Sequence, residues 1–294
     1  MVERHLSPEE RQEFSKAKSK EVKNYVVNAV LSSLPAGMKP PREKVLRMRW
    51  VLEWKVDEQS GDKKAKARIV ILGYLDPECE SRPTTSPTMT RTTRQLVLQL
   101  GAAKKMTAAK ADVKGAFLQG RKFNRELYVI PVPELAKELG MSSQEAAKLE
   151  RAAYGLVEAP IEWYLSICET LEEFGWRRLH ADPCCWILLE PGADESVLLR
   201  QDITDLKDSP VVAIAAGHVD DFLFLGIEGN AVWEESRRKL QEKYDWKDLG
   251  ATPVPPVRRE DHTAGRLQLH SGPGGVREGA GRDPCDRREA ETKE

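Results

Sequence analysis

The pattern of apolar and polar residues changes most sharply within the segment 211–226. Two apolar runs, Val211–Ala216 and Phe222–Leu225, flank the short polar sequence HVDD at 218–221. Apolar runs of this length, rich in β-branched and aromatic residues and separated by a short polar break, predict a β-hairpin. Two acidic residues, Asp220 and Asp221, therefore lie side by side at the tip of a hairpin that is otherwise apolar.

The first part of the chain predicts a helix followed by a second hairpin. Ser7 and Glu10 have the spacing of a capping box, and Pro8 suits the first position of a helix that continues to about Val30. Alternating apolar and polar residues predict a strand over 45–57 and a returning strand over 65–74. Basic residues mark one face of this hairpin: Arg47, Arg49, Lys55, Lys63, Lys64, Lys66 and Arg68. They suit phosphate binding, although Lys and Arg also protect exposed edge strands.

The middle of the chain predicts short strands between helices. Thr92 or Thr93 is expected to cap a helix that runs to Lys105, and Ala109–Val113 to form a strand with Asp112 at its end. Further elements are predicted as a strand over 127–132, a helix over 133–153 broken at Gly140, a helix over 160–174, strands over 176–189, a polar loop over 190–210 and a helix over 231–244. The pattern indicates an α+β fold, an antiparallel sheet packed on helices.

Composition narrows the class of protein. The chain has 294 residues, of which 40% are hydrophobic and 32% charged, and it contains no apolar run long enough to cross a membrane. Its charged N-terminus lacks the apolar core of a signal peptide. Five cysteines without a CxxC pair argue against a zinc site. We therefore expect an intracellular protein, cytoplasmic or nuclear, that is neither secreted nor a membrane protein.

The net charge of −1 conceals an uneven distribution. The segment from Arg82 to Arg125 contains ten basic residues and one acid, Asp112. An ordinary solvated surface can be basic, but a concentration of this kind favours a phosphate-binding face.

Three acids form the candidate catalytic set. Asp112 ends a strand, and Asp220 and Asp221 follow about a hundred residues later on the hairpin. Taken alone, Asp112 suits a turn or a helix cap, and the acid pair suits a solvated turn. Together, carboxylates on adjacent strands can hold two divalent cations about 4 Å apart, and their hard oxygen ligands favour Mg²⁺.

Several ordered motifs resemble those of one family. Residues 49–55, RWVLEWK, are followed by KAKARIVILGY, AKADVKGAFLQG, YGLVEAPIEWY, LHADPCCWI, HVDDFLFLG and YDWKDLG. In this order and spacing they resemble the reverse transcriptase domain of copia-type LTR retrotransposons, over about residues 45–250. The resemblance implies a right-hand polymerase with palm and fingers, which acts as an RNA-directed DNA polymerase on dNTPs and on a primer paired to an RNA or DNA template.

The resemblance also implies roles for individual residues. Asp112, Asp220 and Asp221 match the acids that bind two Mg²⁺ ions, for which Mn²⁺ can substitute. Phe117 matches the bulky residue that excludes a ribose 2′-hydroxyl. Lys66 and Arg68 match the cations that bind the triphosphate. Tyr154 and Gly155 match the segment that lies near the nascent base pair. Gln119, Trp163 and Trp186 are interpreted as structural.

Two departures from the family pattern affect these expectations. His218 stands before VDD where the family has an aromatic residue, and it is expected at the primer end. After Gly250 the family pattern stops, so the thumb is expected to be absent or replaced. We divide the chain into a helix and linker (1–44), a fingers and palm domain (45–250) and a disordered tail rich in Pro, Gly and Arg (251–294).

Two other functions remain open. The chain can be a catalytically inactive, truncated retroelement remnant that still folds and binds nucleic acid. A different palm-type enzyme such as a cyclase would also use paired acids on a hairpin, but it does not account for the KARIVILGY and YGLVEAPIEWY segments.

Overall fold

Five helices frame the described part of the molecule. A computed structural model describes residues 6–56, 61–193 and 209–253. Its helices are α1 (Pro8–Val27), α2 (Arg91–Ala103), α3 (Pro133–Glu138), α4 (Ala159–Glu173) and α5 (Ala231–Lys243). The predicted capping box of α1 is confirmed, because the Glu10 N–H donates to Ser7 Oγ at 3.2 Å and the Ser7 N–H donates to Glu10 Oε2 at 2.8 Å.

A five-stranded sheet contains the basic hairpin. Its strands follow the spatial order β1 (Leu31–Ser33), β6 (Ala147–Leu149), β5 (Tyr128–Ile130), β2 (Val45–Val56) and β3 (Lys63–Ile71). The predicted hairpin corresponds to β2 and β3, which pair antiparallel, whereas β2 and β5 are parallel. Helix α1 packs against β3, the strand at the edge of this sheet.

A six-stranded antiparallel sheet contains the acidic hairpin. Its order is β11 (Trp246–Pro253), β4 (Thr107–Val113), β10 (Asp221–Gly226), β9 (Val211–His218), β8 (Cys185–Leu189) and β7 (Arg177–Arg178). The hairpin β9–β10 is confirmed, with the turn at Val219 and Asp220. Strand β4 lies beside β10, which brings the segment that ends in Asp112 next to the hairpin tip.

Helices cover both faces of the six-stranded sheet. On one face, Trp163 and Leu171 of α4 and Trp233 of α5 join Phe222 and Phe224 of β10 in a common apolar core. On the other face, Val97 of α2 belongs to a separate apolar cluster with Ile214 of β9 and Leu225 of β10. The tip of the hairpin is left accessible, with His218 and Asp220 exposed.

Two expectations about helices are wrong. The helix predicted over 133–153 ends at Glu138, and Ala147–Leu149 forms β6 instead, because its backbone pairs with β1 on one side and β5 on the other. Helix α2 is capped by Thr90 rather than by Thr92 or Thr93. Thr90 is held there because its N–H donates to Asp182 Oδ2 at 2.9 Å.

The end of the described region extends the sheet. Residues 246–253 form β11, which pairs with β4 and includes the first three residues of the segment assigned to the tail. The rest of that tail, 254–294, and most of the loop predicted over 190–210 lie outside the described residues. Within the described part of the chain, no helix combines the length and apolarity needed to span a bilayer.

Candidate active site

Strand pairing brings two of the three acids directly opposite each other. Asp112, next to last in β4, is the register partner of Asp221, the first residue of β10. Opposite residues of an antiparallel pair project from the same face with Cβ atoms about 5 Å apart. Asp220 adjoins them in the turn, where its carbonyl oxygen accepts from the Val113 N–H at 3.0 Å. The structure thus brings the predicted acids together at one end of β4 and β10.

The pKa of the Asp220 carboxyl is raised in the folded protein. Partial burial raises the pKa of the Asp220 carboxyl, and the negative charges of Asp112 and Asp221 raise it further, while Arg68 acts in the opposite direction. The residue as a whole is exposed, so solvent moderates the effect. A cation among these acids would relieve this repulsion.

Lys110 supplies a positive charge that the sequence analysis missed. Its Nζ lies 3.6 Å from Asp221 Oδ1, and both side chains are about half exposed, at 57% and 49%. Lys110 precedes Asp112 by two residues on β4, so period-2 alternation places both on the same face and could have identified it. An exposed ion pair of this kind contributes little stability, which leaves the carboxylate available for another cation.

The acids have the ligand atoms that Mg²⁺ prefers, but their carboxylate groups do not converge on one point. Carboxylate oxygens are the ligands that Mg²⁺ prefers, and Asp112, Asp220 and Asp221 provide three. Among the residues that the structure describes, no three carboxylate, imidazole or thiol groups lie close enough together to hold a metal ion. The residue types therefore fit the ion, while Asp221 is turned towards Lys110.

A row of three side chains connects the two sheets beside the acids. The Arg68 guanidinium of β3 lies 5.3 Å from the centre of the Tyr154 ring, and that ring lies 5.1 Å from the ring of Phe117. Phe117 belongs to a 3-10 helix that follows β4 directly. The structure thus brings together three residues that the motifs had singled out individually.

Electrostatic effects tie this row to the acids. Burial raises the pKa of the Tyr154 hydroxyl to about 12, and the charges of Glu21, Asp220 and Asp112 contribute. Burial and the neighbouring charge of Arg68 lower the pKa of Lys66, which Asp112 partly offsets. The cations of β3 and the carboxylates therefore lie within electrostatic range of each other.

Gly155 allows the Tyr154 segment to approach β3. Its φ is +94°, and a Cβ atom there would lie 2.1 Å from the Ile71 carbonyl oxygen and 2.5 Å from Val70 Cγ1. The adjacent Tyr154 carbonyl accepts from the Ile71 N–H at 2.8 Å. Only glycine combines this conformation with this contact, so Gly155 determines where the Tyr154 ring lies.

His218 lies beside the acids, across the hairpin. It is the register partner of Asp221 on β9 and is exposed. Its side chain therefore shares the face of the sheet that presents Asp112 and Asp221, at the end of the strands.

Helix α1 braces the strand that carries Arg68, a relation that the sequence did not reveal. The buried Tyr25 hydroxyl donates to the Ile69 carbonyl at 3.0 Å, and the Ile69 N–H approaches Glu21 Oε1 at 3.4 Å. Burial raises the pKa of the Glu21 carboxyl, and the positive charges of Arg68 and Lys66 offset only part of this increase. Periodicity could place Tyr25 inward, but a buried acid on a charged helix has no distinctive sequence signal.

The family of the chain follows from comparison with known proteins. A family model described as "Reverse transcriptase (RNA-dependent DNA polymerase)" matches residues 31–254. The match covers most of the chain, and the chain belongs to this reverse transcriptase family. The resemblance inferred from the motifs is confirmed.

The similar curated proteins are retrotransposon polyproteins of plants. The Retrovirus-related Pol polyprotein from transposon TNT 1-94 of Nicotiana tabacum is 26% identical over 248 residues, which cover 83% of this chain and 17% of the relative. The corresponding polyprotein from transposon RE2 of Arabidopsis thaliana is 26% identical over 252 residues, which cover 79% and 17%. The chain thus spans less than a fifth of the length of these relatives.

Two solved structures match loosely. One is a foamy viral protease-reverse transcriptase in complex with double-stranded DNA, 11% identical, with a TM-score of 0.36 over 78% of this chain and 30% of that one. The other is a Prototype Foamy Virus Protease-Reverse Transcriptase mutant, 13% identical, with a TM-score of 0.35 over 81% and 23%.

The raised pKa of Asp220 predicts a pH-dependent effect of Asp220→Asn. The folded state retains this proton to higher pH than the unfolded state, so ionisation lowers the free energy of unfolding as pH rises above the unfolded pKa of about 3.9. The free energy of unfolding of the variant minus that of the wild type is expected to be larger at pH 7 than at pH 3.5. The increase should be less than about 1 kcal/mol, because the residue is exposed. Urea unfolding at both pH values measures the difference.

Glu228→Gln is the control, because it removes one exposed carboxylate at the other end of β10. It is expected to leave the pH profile of the wild type unchanged. An Asp220→Asn effect of equal size at both pH values would contradict the prediction.

Gly155→Ala is expected to lower the free energy of unfolding by about 3 kcal/mol, from the positive φ and the clash with the Ile71 carbonyl. Gly140→Ala is the matched control. It has a φ of +68° but no atom within 4 Å of the added Cβ, so it should cost about 1 kcal/mol. Urea unfolding followed by circular dichroism compares the two, and equal losses would refute the close approach of Gly155 to β3.

Proposed function

We propose that the chain is an RNA-directed DNA polymerase domain that adds dNTPs to a primer paired to an RNA or DNA template. The observation that carries the proposal is the register of Asp112 with Asp221, with Asp220 in the adjoining turn. Three acids lie at one strand end, and cations lie on a second sheet. This combination suits an enzyme that transfers a nucleotide from a triphosphate. Retroelement relatives of the same family support the choice of reaction.

Asp112, Asp220 and Asp221 would hold two Mg²⁺ ions, for which Mn²⁺ can substitute. Bound divalent cations supply positive charge that activates the primer hydroxyl and stabilises the charge that develops on the phosphate and leaving group. The acids contribute hard ligands, and their mutual repulsion, which adds to burial in raising the pKa of Asp220, favours cation binding. Lys110 would yield its place beside Asp221 when a cation binds.

Arg68 and Lys66 would bind the triphosphate. The Arg68 guanidinium, braced against the Tyr154 ring, presents fixed donors that suit phosphate oxygens. The pKa of Lys66 is lowered by partial burial and by the neighbouring charge of Arg68, and an anionic ligand would favour the charged form of Lys66. The two cations lie on β3, whose edge is held by Tyr25 and by the Tyr154 carbonyl.

The remaining site residues would contact the nucleotide and the primer. Phe117 follows Asp112 by five residues and would crowd the sugar 2′-position. Tyr154 and Gly155 would lie near the nascent base pair, and exposed His218 near the primer end. In this assignment the six-stranded sheet with its helices is the palm, and the five-stranded sheet belongs to the fingers. We place the reaction inside the cell.

A second candidate is a nucleic-acid-binding remnant without catalysis. It is favoured by the ion pair of Asp221 with Lys110, because one of the three acids already has a cationic partner. Binding of primer-template that weakens with salt, without extension in Mg²⁺ or Mn²⁺, would identify this alternative.

Asp220→Ala is expected to reduce primer extension by at least about 10²-fold, because it removes one of three cation ligands. Extension of a labelled primer on RNA and DNA templates, in Mg²⁺ and dNTPs, measures the loss. Glu228→Ala, an exposed acid outside the site, should extend at the rate of the wild type. Equal extension by wild type and Asp220→Ala would refute the assignment.

Phe117→Ala is expected to lower the preference for dNTP over rNTP by at least about tenfold, because the space for a 2′-hydroxyl is no longer filled. The ratio of kcat/KM for the two nucleotides measures the preference. Phe123→Ala is the control, because Phe123 packs against the same apolar cluster as Phe117. Its N–H donates to the Glu150 carbonyl, and it is not one of the proposed site residues. Unchanged discrimination in Phe117→Ala would reject its role at the sugar.

A further inference from the structure

The turn that carries Asp220 contains an unfavourable backbone conformation. Three non-glycine residues of the described chain have positive φ: Ala29 at 46°, Lys105 at 56° and Val219 at 60°. Val219 is the only one of the three that is β-branched, and a β-branched residue at positive φ is a steric outlier. Such a conformation persists only where surrounding contacts enforce it.

Trp163 of helix α4 contacts this turn. Its indole Nε1–H donates to the Val219 carbonyl oxygen at 2.6 Å. Trp163 is 1% exposed within α4, and its ring packs edge-to-face on Tyr244 at 5.3 Å. On the other side of the turn, the Val113 N–H of β4 donates to the Asp220 carbonyl. Two consecutive carbonyls of the turn are thus held from two different elements.

Trp163 has little freedom to give up this hydrogen bond. Its ring is enclosed by the apolar core, so an indole N–H that lost Val219 would be left without a partner. Conversely, a Val219 that relaxed to negative φ would rotate the peptide planes of the turn, and with them the carbonyl and the start of β10. The hydrogen bond and the orientation of Asp220 and Asp221 are therefore coupled.

We propose that Trp163 is a positioning residue of the active site, which holds Val219 at positive φ and thereby keeps Asp220 in the turn and Asp221 at the start of β10, beside Asp112 of β4. The inference rests on the proposed function of the three acids. It gives the buried tryptophan a role beyond packing, because its single polar atom acts on the turn that carries two of the acids.

The test combines Trp163→Phe with Val219→Gly. Trp163→Phe keeps an aromatic ring but removes the donor, and it is expected to lower kcat about tenfold and to raise the Mg²⁺ concentration for half-maximal extension, with KM for dNTP unchanged. Glycine adopts positive φ without steric cost. Trp163→Phe/Val219→Gly is therefore expected to recover most of the lost activity, whereas Trp163→Phe/Val219→Ile, which keeps the β-branch, is not.

Trp176→Phe is the matched control. Trp176 is also fully buried in the same core, and its Nε1–H donates to Ser236 Oγ at 2.8 Å, remote from the turn. We expect Trp176→Phe to reduce the thermal stability of the protein, to leave kcat and the Mg²⁺ requirement unchanged, and to gain nothing from Val219→Gly. A purely structural role for Trp163 predicts that both tryptophan variants behave alike.

A measurement of metal binding distinguishes failure of this proposal from failure of the proposed function. Titration with Mn²⁺, monitored by electron paramagnetic resonance, should show weaker binding in Trp163→Phe and recovery with Val219→Gly, even if the wild type extends no primer. If Trp163→Phe does not fold, the glycine double variant should fold and bind Mn²⁺, and the isoleucine one should not fold. Wild-type kcat and Mn²⁺ affinity in Trp163→Phe, no recovery with glycine, or a wild type that binds no Mn²⁺ would each overturn the proposal.

Discussion

The pairing of β4 with β10 is the constraint on which the candidate site depends. It sets Asp112 opposite Asp221 and places Asp220 in the adjoining turn. The register of the two strands therefore keeps three like charges close to each other. Burial raises the pKa of the Asp220 carboxyl, and the charges of Asp112 and Asp221 raise it further. The apolar core behind the strands, built from α4, α5 and the aromatic residues of β10, holds the register against that repulsion.

The opposing charge comes from a different part of the fold. Arg68 and Lys66 belong to the edge strand of the five-stranded sheet, and Tyr154 and Phe117 fill the space between that strand and β4. Because Gly155 permits backbone contact with β3, the Tyr154 ring is fixed between cations and acids. Arg68, Tyr154 and Phe117 thus form a row of side chains in contact, which extends from the edge strand of one sheet to the segment that follows β4 of the other.

Helix α1 and the core tryptophans show how distant segments support the site. Tyr25 and Glu21 contact the backbone of Ile69 beside Arg68, although α1 precedes the segment that the family model matches. Trp163 acts in the same way on the turn after His218. In both cases a buried side chain bonds to main-chain atoms adjacent to a functional residue, so its effect on chemistry is indirect.

Local patterns in the sequence determined the two hairpins, helices α1, α4 and α5, and the motif residues, since periodicity, capping and turn chemistry act within a few positions. The segment 147–149 and β11 became strands only because distant edges offered partners, and Thr90 caps α2 because Asp182 holds it. The ordered motifs identified the family and the three acids. Alternation along β4 could place Lys110 on the face of Asp112, but its pairing with Asp221 depends on the register of β4 with β10. Only tertiary structure decided that Glu21 lies buried beneath the strand of Arg68 and that Trp163 bonds to Val219, because each contact joins residues from separate elements whose proximity no local pattern encodes.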